Sequence, residues 1–88
     1  MKLYVGNLCY SVTEAELTAL FSSYGVVTRT RIIKDHHTRQ SKNFGYIEML
    51  NSREGHMALA GMDGHAVHER PLVVKEARSR DKRQGLGW

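Results

Sequence analysis

A strand with one dry side and one wet side constrains this chain more than any other feature. Residues Lys42 to Met49 read KNFGYIEM. Side chains of a β-strand alternate between the two faces of its sheet. Gly45, Ile47 and Met49 therefore share one side, and Lys42, Phe44, Tyr46 and Glu48 share the other. The first set suits a core. The second places two aromatic rings between a lysine and a glutamate, on the side that meets water. The chain holds only seven aromatics in 88 residues, so spending two of them there calls for a reason. A sheet containing such a strand has one covered face and one open face.

The remaining segments supply the cover. KLYVGN (Lys2 to Asn7) alternates with Leu3 and Val5 on one side and Lys2, Tyr4 and Gly6 on the other. In TEAELTALFSSYG, Thr13 and Glu16 have capping-box spacing, Leu17, Leu20, Phe21 and Tyr24 recur at helical spacing, and Gly25 is placed to stop the helix. VVTRTRIIK (Val26 to Lys34) is rich in β-branched residues and reads as a strand, followed by a polar connection, DHHTRQS. Asn51 and Glu54 repeat the cap spacing before a stripe of Gly55, Ala58, Leu59 and Met62. Gly55 and Gly61 each cost that helix about 1 kcal/mol relative to alanine, so packing must hold it. PLVVKEA (Pro71 to Ala77) reads as the last strand. The order β-α-β-β-α-β is the ferredoxin-like, split βαβ arrangement of the α+β class: a four-stranded antiparallel sheet with two helices on one face. Nothing remains to cover the other face. Tyr4, Phe44 and Tyr46 lie on that bare side.

Eighty-eight residues make a single domain. No apolar run approaches the roughly 18 residues of a membrane helix, and MKLYVGNL turns polar too soon for a signal peptide, so no membrane partner is expected. Cys9 is the only cysteine, which rules out a disulfide framework and a cysteine-rich zinc site and fits a cytoplasmic setting. The net charge of +4 is uneven: residues 1–77 carry +1, and the segment from Arg78 onward carries +3 through Arg78, Arg80, Lys82 and Arg83 against Asp81. A nearly neutral body with a basic tail over residues 79–88 suits a polyanion, although charge tails are also ordinary solvated ends.

Exposed rings can serve simply as cross-strand pairs that stiffen a sheet. Here they lack a second layer and stand among cations, with Lys2 and Lys42 on their own parity and Arg31 on the neighbouring strand. Bases stack on flat rings while phosphates pair with positive charge, which is what an unpaired nucleic-acid strand requires. LYVGNL and KNFGYIEM resemble the hexamer and octamer motifs of the RNA recognition motif, in order, spacing and strand assignment, over residues 2–78. The resemblance implies stacking roles for Tyr4, Phe44 and Tyr46. Charged or polar contacts are expected from Lys2, Asn7, Arg31, Lys42, Lys75, Arg78 and Arg80, with Lys42 at the family's charged first octamer position. The resemblance also implies a monomeric, non-catalytic binder of single-stranded RNA without a cofactor. Single-stranded DNA or a protein partner on the same face are the alternatives.

Three positions depart from the family pattern. Asn43 and Glu69 stand where glycines are usual, and Met49 replaces an inward aromatic. A turn needing φ > 0 at Glu69 would be strained. His36-His37 and His65-x-x-His68 read as solvated histidines rather than metal ligands, Cys9 as a small semi-buried residue, and Trp88 as a free aromatic on the tail.

Overall fold

The computed structural model describes residues 1–35 and 40–77, with segments 34–35 and 40–43 described through their backbone only. Its elements are β1 (Lys2–Gly6), α1 (Glu14–Ser22), β2 (Val27–Asp35), β3 (Gln40–Met49), α2 (Ser52–Met62), β4 (Ala66–Val67), β5 (Arg70–Pro71) and β6 (Val73–Ala77). Four of the strands form one antiparallel sheet in the order β2-β3-β1-β6. Leu3, Val5, Ile47 and Met49 are all buried with Phe21 of α1 and Met62 of α2, so both helices cover the face that the alternation assigns to the core. The expected α+β architecture is the observed one.

Both helices begin as their sequences direct. The Thr13 hydroxyl accepts from the Glu16 amide at 3.1 Å, and the Asn51 side chain accepts from the amides of Arg53 and Glu54. The Thr13 box is only half closed, because the Glu16 carboxylate takes a hydrogen bond from His68 Nε2 at 2.6 Å. The end of α1 also differs from expectation. Ser23, in ordinary helical geometry, is the C-cap, and the hydroxyls of Ser22 and Ser23 donate to the carbonyls of Thr18 and Leu20. With hydroxyls on the last turn, no left-handed glycine is needed. Gly25 instead leaves room for the Glu54 side chain of α2.

The segment before the last strand is the main correction. Pro71 does not open the last strand; it closes a two-residue hairpin in which Ala66 pairs with Pro71 and Val67 with Arg70. The turn residues His68 and Glu69 have φ of 53° and 69°, the twin left-handed geometry of a type I′ turn. Such turns favour Asn-Gly, so His-Glu carries no signal of one. The expected strain at Glu69 is present.

One backbone amide on each outer strand is taken by a carboxylate. Glu14 accepts from the Ile32 amide on β2 at 3.0 Å, and Asp63 accepts from the Val74 amide on β6 at 2.9 Å. Occupied edge groups are poor templates for further strand pairing.

Candidate nucleic-acid interface

Residues directly opposite in antiparallel pairs share a face, so the register writes out the open side of the sheet as three rows. The first runs Arg29–Glu48–Lys2–Ala77, from β2 through β3 and β1 to β6. The second runs Arg31–Tyr46–Tyr4–Lys75, and the third Ile33–Phe44–Gly6–Val73. The middle row sets two aromatic rings between two cations. The outer rows are one of alternating charge and one apolar.

The three rings form a continuous group. Tyr4 and Phe44 lie nearly parallel, with centroids 5.8 Å apart and planes 28° from each other. Tyr46 meets both edge-on at 6.0 Å, with interplanar angles of 67° and 88°. These are favourable aromatic geometries. All three rings are half-buried, while Arg31 and Lys75 are exposed. The near-parallel pair offers aromatic faces to a planar ligand, and Tyr46 meets both rings edge-on.

The description of the RNA recognition motif family matches residues 3–73. The chain belongs to this family. RbpA of Synechocystis sp., which carries the name of an RNA-binding protein, is 40% identical over 99% of this chain and 86% of its own length. The crystal structure of RNA Binding Protein PG1 superposes with a TM-score of 0.85 at 41% identity, covering 91% of this chain and 96% of that one. A SXL-lethal protein/RNA complex superposes with a TM-score of 0.82 at 28% identity, covering 88% of this chain and 46% of that one.

Within this RNA recognition motif, Tyr4, Phe44, Tyr46 and Lys2 come together on the open face as the alternation predicts, and the cross-strand register adds Arg31 and Lys75 to them. Lys42 falls where the β2–β3 ladder slips between Ile33 and Lys34, so the alternation argument stops at Phe44. Its side chain, with Arg78 and Arg80, lies outside the described residues, as do the His36-His37 pair and Trp88. Asn7 is at the end of β1 with φ of 58°. Its amide donates to the Pro71 carbonyl at 2.7 Å and accepts from the Arg70 guanidinium at 2.8 Å, so both ends anchor the small hairpin. Arg29 joins the face without having been singled out. Its shared parity with Arg31 was the available signal, and a bulge after Val27 is what lets Val27 face the core while Arg29 faces out.

The histidine reading needs correction at one position. His68 is not simply solvated: its Nδ1 is 2.8 Å from the Ser11 hydroxyl, its Nε2 donates to Glu16, and its side chain is 34% exposed. Cys9 joins the same chain through a 3.1 Å contact with Ser11, whose hydroxyl and backbone hold the thiol below its ordinary pKa. Among the described residues no group of three metal-ligating side chains occurs. The hydrogen bond and charge of Glu16 raise the His68 pKa above its ordinary 6.5. A raised folded value means that the native state holds the proton more tightly. The stabilisation is complete below the unfolded pKa and is lost as pH rises through the folded one. We expect Glu16→Gln to lower Tm more at about pH 6 than at about pH 9. An equal loss at both would show that no proton is linked to this contact.

Proposed function

We propose that this chain binds single-stranded RNA, as a monomer and without chemical conversion, across the open face of its sheet. The observation that carries this reading is the middle row, Arg31–Tyr46–Tyr4–Lys75: two rings for bases, with a cation at either end for phosphates. Bases splayed from a single strand stack on such rings, and each stacked base contributes about 1–3 kcal/mol. Tyr4, Phe44 and Tyr46 do the stacking in this reading. Lys2, Arg29, Arg31, Lys75 and the motif's Lys42 supply positive charge, and Asn7 anchors the small hairpin. RNA-binding names among the relatives support the assignment. The lone free cysteine suits a reducing compartment such as the cytoplasm.

The test is titration with a random pool of short RNAs and a matched DNA pool over a series of salt concentrations. Affinity should fall with salt, each neutralised phosphate contributing about −0.7 to the slope of log K against log salt. Truncation after Arg78 removes Arg80, Lys82 and Arg83. It should make that slope shallower by up to about 2 and leave the ranking of sequences unchanged, since phosphate contacts position without specifying. A preference for the DNA pool would redirect the assignment to DNA. Absence of binding to both pools would overturn it in favour of a protein partner.

A further inference from the structure

The third row of the open face has a gap at its centre. Gly6 has no side chain to present there, although its cross-strand neighbours Phe44 and Val73 do. The glycine is nevertheless buried. Its cover is Tyr4, two residues earlier on the same face. A β-carbon built at Gly6 would come within 2.6 Å of the Tyr4 hydroxyl oxygen, 2.9 Å of Cε2 and 3.0 Å of Cζ. Tyr4 therefore lies along its own strand with its ring tip over Gly6, rather than standing up from the sheet. This lean turns the ring toward Phe44, the residue opposite Gly6, and produces the near-parallel pair at 28°. Toward Tyr46, the residue opposite Tyr4 itself, the angle is 67°.

Backbone conformation does not demand glycine here. Gly6 is ordinary strand, and Gly64 is the described glycine with positive φ. The requirement is space. We infer that Gly6 is a positioning residue for ligand stacking: its missing side chain is the seat that holds the Tyr4 ring flat beside Phe44. The inference rests on the RNA-stacking reading above and adds to it a residue that touches no ligand.

The effect of a methyl group at this position separates function from stability. The atoms it would strike are the far end of a side chain that can swing away, and alanine is preferred to glycine within a strand. The fold should tolerate Gly6→Ala, while the ring it displaces loses its parallel alignment with Phe44.

The experiment is a double-mutant cycle on Gly6→Ala and Tyr4→Ala. It is read by affinity for a fluorescent pool of random single-stranded RNA 8-mers and by thermal unfolding. Tyr4→Ala should weaken binding about 5- to 150-fold, the range expected for one lost stacking platform. Gly6→Ala alone should weaken it about 5-fold or more, with a Tm equal to or above the parent's. Added to Tyr4→Ala, it should change affinity less than about 2-fold, because the ring it acts through is gone. Parent-like binding by Gly6→Ala beside weak binding by Tyr4→Ala overturns the inference and leaves the stacking reading intact. So does an equal loss in both backgrounds, which would mean that the methyl itself obstructs RNA. Parent-like binding by Tyr4→Ala is a separate result: it removes Tyr4 from the stacking reading and the inference with it.

Discussion

Replacing Phe44 and Tyr46 together with alanine is expected to reduce affinity for short single-stranded RNA by about 2–6 kcal/mol, from about 1–3 kcal/mol for each lost stacking surface. The two rings meet edge-on at 6.0 Å, so their contributions are coupled and the joint loss need not equal the sum of the single losses. Each leaves the platform a different remnant. Without Phe44, Tyr4 loses the ring that lies parallel to it. Without Tyr46, the near-parallel pair remains but loses the ring that meets it edge-on. Because both side chains stand on the open face, the core is untouched, and the stability cost should stay near the roughly 0.2–1 kcal/mol of a cross-strand pair. Fluorescence anisotropy with labelled RNA, alongside urea unfolding, measures the two effects separately. Parent-like affinity in the double variant would end the platform reading. A double variant that no longer folds would show that the rings hold the sheet instead.

The second large effect belongs to the opposite face of the same strand. Ile47 is fully buried beneath the helices, and Ile47→Ala should destabilise the domain by about 2–5 kcal/mol through lost burial and the cavity left behind. That is a large share of the roughly 5–15 kcal/mol available to a small domain. Its neighbour Glu48 points the other way, in the charged row between Lys2 and Arg29. Glu48→Ala should leave stability within about 0.5 kcal/mol, because its half-buried side chain lies on the open face and its loss leaves no cavity in the core. Removing an anion beside the platform should also tighten RNA binding, and the gain should shrink in high salt. Urea midpoints for the two variants decide the matter. Equal destabilisation would mean that the assignment of faces on β3 is wrong.

The contrast between Ile47 and Glu48 was legible in the sequence because strand alternation is a local rule. A period of two assigns the faces of LYVGN and FGYIEM without reference to any other segment. The helix starts were legible for the same reason: Thr13 and Asn51 bond to amides two or three residues away. With right-handed connections, these local facts suffice for the order of elements and for an uncovered face carrying Tyr4, Phe44 and Tyr46.

Everything that depends on which distant groups become neighbours was decided by the tertiary structure. Glu16 sits at capping-box spacing, yet its carboxylate goes to His68, 52 residues away, where a partly exposed imidazole offers a stronger, charge-assisted bond than the Thr13 amide. The two hydrogen bonds of Asn7 to Arg70 and Pro71 form only once the hairpin folds back beside it. That hairpin is itself invisible in the sequence, because His68 and Glu69 adopt left-handed angles that their side chains disfavour and only their surroundings enforce. The rows of the open face follow the same logic. Alternation says which residues face out, but cross-strand register says which stand side by side, and that register is set by core packing on the other side of the sheet. Gly6 is the clearest case: an unremarkable strand glycine in the sequence, it becomes a seat only where the ring of Tyr4 lies down over it.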